Sequence, residues 1–109
     1  MPNKFIVIFI TAPSKKEAER IVLTLIKKKL ASCGNILGGV NSIFVWKSKR
    51  EKAKEVLLII KTRKNLFNKI VREVERLHSY EVPEIIALPI IDGNKKYLAW
   101  IDEVVKIKK

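Results

Sequence analysis

The sequence predicts an α+β domain in the split βαβ order, βαββαβ plus a short C-terminal helix, built on one antiparallel sheet. Three observations carry this. Apolar runs rich in β-branched residues recur at residues 5–10, 43–46, 56–60 and 85–91, and the intervening stretches 14–30 and 65–77 carry apolar residues at helical spacing. The third is size: 109 residues with 48% hydrophobic content suit a single domain spanning residues 1–109 and one core. Such a chain buries about two-thirds of its unfolded surface on folding.

The first strand, residues 5–10, is apolar on both faces and therefore expected mid-sheet. Ser14, Lys15, Lys16 and Glu17 form a capping box, in which serine and glutamate side chains serve the free backbone donors of a helix start. Ala18, Ile21, Val22, Leu25, Ile26 and Leu30 follow on one helical face. Lys27, Lys28 and Lys29 complement the negative end of that helix. Residues 31–62 read as two long strands around a basic tip at 47–54, with Gly34, Gly38 and Gly39 placing bulges or bends in the first of them. Asn65 is expected to cap a second helix carrying Leu66, Ile70, Val71, Val74 and Leu77. Pro89 lacks a backbone donor, which puts the fourth strand, residues 85–91, at a sheet edge. Asp92, Gly93 and Asn94 turn the chain into a closing helix with Tyr97, Trp100, Ile101 and Val104. This order is the ferredoxin-like one, with the first strand inside and the fourth outside.

The lone Cys33 permits no intrachain disulfide and no Cys-x-x-Cys motif. No apolar run approaches the roughly 18–20 residues that a membrane-crossing helix needs, so no membrane association is expected. The first residues lead straight into a strand pattern without the parts of a secretory signal, which predicts a cytoplasmic protein. A formal charge of +12 attracts polyanions without regard to sequence, but its lysines read mainly as a solvated shell.

Residues 78–90 gather His78, Tyr80, Glu81 and Glu84 between a helix pattern and an apolar run, and Val82 before Pro83 is biased to extended geometry. This segment, with Ala31-Ser32-Cys33, Asn35-Ile36, Lys61-Thr62 and Gly93-Asn94-Lys95-Lys96-Tyr97-Leu98-Ala99-Trp100, closely resembles the CutA family almost end to end. The resemblance implies a ferredoxin-like homotrimer linked to divalent metal ion tolerance, with copper or another divalent ion as ligand and no established enzymatic reaction. Its assigned copper ligands are a cysteine before a Thr-Ala-Pro turn and two adjacent histidines. Here Ile10 and Leu77 replace two of the three, leaving His78 as the one candidate metal ligand. Ser79 for proline, Gly34 for a bulkier residue and Val45 for tryptophan are further departures from the family pattern.

Cys33 reads as a buried inert thiol, and Pro83 and Pro89 as structural residues. Glu81 and Glu84 give only a weak acid–base signal across Pro83, and no cofactor is demanded by any motif, so the chain reads as non-enzymatic. An alternative places Trp46, Lys61, Thr62, Tyr80, Glu81 and Glu84 around a cleft between subunits. The architecture is similar to that of trimeric PII signalling proteins, whose clefts take small anionic effectors. A purely structural or scaffolding trimer is the third reading. Specific nucleic-acid binding is not expected, because residues 55–61 lack the aromatics and glycine of an RNA-recognition strand.

Overall fold

In the computed structural model, which describes residues 4–105, the chain runs β1 (Phe5–Ala12), α1 (Lys15–Lys27), β2 (Cys33–Trp46), β3 (Lys49–Arg63), α2 (Phe67–Leu77), β4 (Ile85–Pro89) and α3 (Lys95–Val104). All pairings are antiparallel and the sheet order is β2-β3-β1-β4. β1 is thus interior and Pro89 stands on an edge strand, both as the apolar pattern and the missing donor require.

Strict alternation divides the sheet into two faces. On one, Ile6, Ile8 and Ile10 of β1 and Val56, Leu58 and Ile60 of β3 meet Ala18, Ile21, Val22 and Leu25 of α1 and Ile70 and Val74 of α2 in a dry core. Each fully buried Ile or Leu contributes about 1.5–3 kcal/mol. The other face carries Leu37, Leu57, Ile59, Ile86 and Leu88, of which Leu37, Ile86 and Leu88 are 43–50% exposed. Helix α3 covers only one end of that face, where Asp102 pairs with Arg63 and Lys4.

Local chemistry explains the boundaries. Ser14 Oγ accepts from the Glu17 amide at 3.1 Å, so half of the capping box forms. The other half does not: the Glu17 carboxylate turns to Ser79. α1 ends in a Schellman motif, with Leu30 N–H donating to the Leu25 carbonyl and Lys29 N–H to that of Ile26. Lys29 consequently sits at φ 59°, a conformation that favours glycine. The bulge expected from the glycines falls between Leu37 and Val40, where Gly39 takes φ 76° and two β2 residues oppose Val56 alone.

Three expectations are corrected. The hairpin tip is not residues 47–54; pairing continues to Trp46 and Lys49, and the turn is Lys47-Ser48 with φ 51° and 68°. Positive φ at both positions matches the twist of a tight hairpin, at a cost for residues with a Cβ. Asn65 does not cap α2. It lies in a 3₁₀ turn, Lys64–Leu66, pinned by Lys64 N–H donating to the Lys4 carbonyl at 2.8 Å, and α2 starts at Phe67 without a side-chain cap. β4 stops at Pro89, two residues short of Ile91, which is 89% exposed.

Candidate functional site

Polar side chains collect at the two ends of the sheet. At the first, His78 follows the last turn of α2 with an extended backbone, ψ 141°, which swings its ring under the end of β1. Nε2 donates to the Thr11 carbonyl at 2.7 Å, and Nδ1 accepts the Tyr80 amide at 3.0 Å. These two bonds set the tautomer, with the proton on Nε2. Glu17 Oε2 accepts from the Ser79 amide at 2.9 Å and its hydroxyl at 3.0 Å, and stands 3.4 Å from His78 Nδ1. The Arg20 guanidinium donates to the Leu77 carbonyl at 2.9 Å and closes the same corner.

Tyr80 stacks at a tilt on His78, 4.8 Å between centroids, and its hydroxyl donates to Glu55 Oε2 at 2.8 Å. Glu55 is 7% exposed, a carboxylate withdrawn from water that needs this donor. Burial, then the hydrogen bond and charge of Glu55 and the charge of Glu17, push the Tyr80 phenol up to about 12. Tyr80 is therefore a donor at neutral pH and no base. His78, with both nitrogens engaged, offers no lone pair to a metal ion. Among the described residues no three His, Cys, Asp or Glu side chains group as metal ligands, so the residues present do not fit a resident copper or zinc ion within one chain. The cluster ties β1, α1, β3 and the segment before β4 together.

At the second end, Lys61 Nζ donates to Asn35 Oδ1 and the Cys33 thiol lies 3.9 Å from the same oxygen. Tyr97 of α3 lies against Cys33 and stacks at a tilt on Trp100, 5.5 Å between centroids. Burial, followed by Cys33, raises the Tyr97 phenol above its ordinary value. Cys33 is partly exposed, contrary to the buried thiol expected, because it stands opposite Lys61 on the face away from α1 and α2. Thr62, one residue on, points the other way: it is fully buried and donates to the Leu30 carbonyl at 2.6 Å.

The six residues assigned to a cleft do not converge in one chain. Lys61 is six residues along β3 from Glu55, the partner of Tyr80, a distance of about 20 Å. Trp46, opposite Lys49, lies about 20 Å beyond Glu55 in the other direction. Glu81 and Glu84 are exposed beside Pro83 in the turn before β4. Sequence reasoning missed Glu55 and Thr11, quoted Asn35 without a role, and gave Tyr97 and Trp100 only a packing role. A lone carboxylate opening an otherwise apolar strand was the available signal for Glu55. Asn35 was marked only as part of the Asn35-Ile36 motif, with no role attached to its side chain.

A family model described as CutA1 divalent ion tolerance protein matches residues 6–104. The chain belongs to the CutA1 family. Among CutA relatives, the divalent-cation tolerance protein of Archaeoglobus fulgidus is 50% identical over 91% of this chain and 96% of its own length. The chloroplastic CutA 1 of Oryza sativa is 45% identical over 88% of this chain, and the chain spans about half of that relative, 54%. Among solved CutA structures, that of the protein described as periplasmic from A. fulgidus superposes with a TM-score of 0.91 at 48% identity, covering 94% of this chain and 99% of that one. None of the helices formed by the described residues is long and apolar enough to cross a membrane.

Proposed function

We propose that this CutA1 chain works as a non-enzymatic homotrimer in divalent metal ion tolerance, acting through binding or signalling, in the cytoplasm. The observation that carries the reading is the open sheet face. Leu37, Ile86 and Leu88 form, with the half-buried Leu57 and Ile59, an apolar surface that the described residues leave largely open, and Phe44 and Trp46 extend its side of the sheet along the hairpin. Contiguous apolar surface of this kind marks an association site. Three copies closed about one axis leave no copy of the face open.

The tolerance role is supported by membership of the CutA1 divalent ion tolerance family and by the likeness to the divalent-cation tolerance protein of Archaeoglobus. Bound copper or another divalent ion would have to draw donors from more than one chain, since His78 is spent. The inter-subunit cleft of Trp46, Lys61, Thr62, Tyr80, Glu81 and Glu84 stays part of this proposal only as an arrangement made by neighbouring copies. Static light scattering on the purified protein tests it. The expected mass is three times the 12.6 kDa chain, and Ile86→Lys, which sets a charge on the open face, is expected to reduce it to one. A monomeric parent, or an Ile86→Lys protein of unchanged mass, refutes the assembly. Copper and zinc titrations of the metal-stripped protein, read by calorimetry, test the metal half separately.

A further inference from the structure

The end of the sheet under α3 carries an unusual charge balance. Three cations lie there: Lys4 and Arg63 both pair with Asp102, while Lys61, among the described residues, has no carboxylate partner. Lys61 is only partly exposed, and its ammonium donates to the side-chain oxygen of Asn35. That contact occupies the Asn35 side-chain oxygen and leaves its amide nitrogen as a donor. Beside that oxygen stands the Cys33 thiol, 3.9 Å away, and Tyr97 lies against Cys33 with a raised phenol that keeps its proton at neutral pH. Three cations against the single Asp102 carboxylate leave two net positive charges, and with the remaining ammonium hydrogens and the Asn35 amide as donors this end of the sheet is complementary to a small oxyanion.

Beside it, the rings of Tyr97 and Trp100 form a shelf, each 41% exposed and 5.5 Å apart. Aromatic faces open to solvent next to an unpaired cation suit a flat ring attached to the anion.

We propose that Cys33, Asn35, Lys61, Tyr97 and Trp100 form a binding site for a small carboxylate or phosphate ester that carries a planar ring. Lys61 and the Asn35 amide hold the anion, Tyr97 adds a hydroxyl donor, and the ring lies on the Tyr97–Trp100 shelf. The site is made by one chain and differs from the cleft discussed above, sharing with it only Lys61. It rests on the binding role proposed for the protein and needs no metal.

Trp46 and Trp100 are the only tryptophans, so Trp46→Phe makes Trp100 the sole emitter at this site. In that background, benzoate and phenyl phosphate are titrated against Trp100 fluorescence, with acetate and inorganic phosphate as ringless controls. Saturable quenching by a ring-bearing anion is expected, with the ringless partner at least roughly tenfold weaker. Benzoate alone assigns a carboxylate, phenyl phosphate alone a phosphate ester. Lys61→Met is expected to weaken binding roughly tenfold or more through loss of a charge-assisted hydrogen bond, while Lys61→Arg retains it. Tyr97→Phe, which leaves the ammonium and the shelf in place, is expected to weaken binding severalfold and covers the case in which Lys61→Met fails to fold. No saturable change with either ring-bearing probe overturns the site, as does equal binding of the ringless anions or an unchanged affinity in a folded Lys61→Met protein. Light scattering on the same samples reports the trimer independently, so the two proposals fail separately.

Discussion

Gly34→Ala, the addition of one methyl group, is expected to destabilise the fold. Gly34 lies on β2 opposite Ile60, and a Cβ built there stands 2.7 and 2.9 Å from the two γ-carbons of Val22 and 3.0 Å from Cδ1 of Ile60. Comfortable carbon–carbon contacts begin at about 3.5 Å, so several tenths of an ångström must be found on two sides at once. Val22 gives little way, since a β-branched side chain in a helix holds essentially one χ1 rotamer. Ile60 is fully buried in the same core. Overpacking of this kind costs about 1–3 kcal/mol. Glycine's greater freedom in the unfolded chain offsets about 0.4–1 kcal/mol of it. A net loss of about 1–2 kcal/mol remains, and each kcal/mol lowers Tm by about 4–8 °C in a domain near this size.

Thermal and urea unfolding at one fixed protein concentration measure this, since association couples to stability. The informative partner is Val22→Ala, which removes both clashing methyls and by itself costs about 1.6 kcal/mol in lost burial. In the double variant the new methyl occupies part of the vacated space. It should therefore be more stable than the sum of the single losses by about 1 kcal/mol or more. A Gly34→Ala protein as stable as the parent, or strictly additive losses, would refute the packing argument.

Other residues yield sharp expectations. Tyr80→Phe strips the hydroxyl donor from the withdrawn Glu55 carboxylate and is expected to cost about 1–3 kcal/mol in urea unfolding. The same phenol gives a pH signature. Because its folded value is pushed up to about 12 from an ordinary 10, its stabilising contribution is complete below pH 10 and disappears as the pH climbs from there through 12. That alkaline loss should be absent in Tyr80→Phe. His78→Ala unpartners the Thr11 carbonyl and the Tyr80 amide and is expected to lower stability by about 2–4 kcal/mol, with copper and zinc titrations unchanged from the parent. A metal affinity that vanishes with the imidazole would contradict the assignment of both ring nitrogens. Lys29→Gly relieves the positive φ at the α1 Schellman motif and is expected to raise stability by about 0.5–1 kcal/mol, seen as a higher Tm.

Much of the architecture was legible before any coordinates because its causes are short-range. The apolar alternation of β3, the helical stripe from Ala18 to Leu25, the Ser14 cap and the edge position of Pro89 each depend on residues within about one element length. The chain order then leaves few topologies, and the observed β2-β3-β1-β4 sheet is one of them. The failures are instructive for the same reason. Asn65 has the chemistry of a cap, yet the Lys64–Lys4 backbone bond, spanning sixty residues of chain, holds it in a 3₁₀ turn instead. Lys47-Ser48 carries no glycine or asparagine to announce a two-residue hairpin. Pairing of Val45 with Arg50 and of Trp46 with Lys49 imposes the turn from outside.

The sequence by itself determined which segments become strands and helices, which face of each is apolar, and that His78 stands alone among the family's copper ligands. Only the tertiary structure decided what the polar residues do. His78 meets Thr11 across 67 positions, Tyr80 meets Glu55 across 25 and Lys61 meets Asn35 across 26. Contacts of that span have no periodicity along the chain; they exist because sheet order and strand register bring distant residues together, and because a donor or acceptor taken from water must find its partner there.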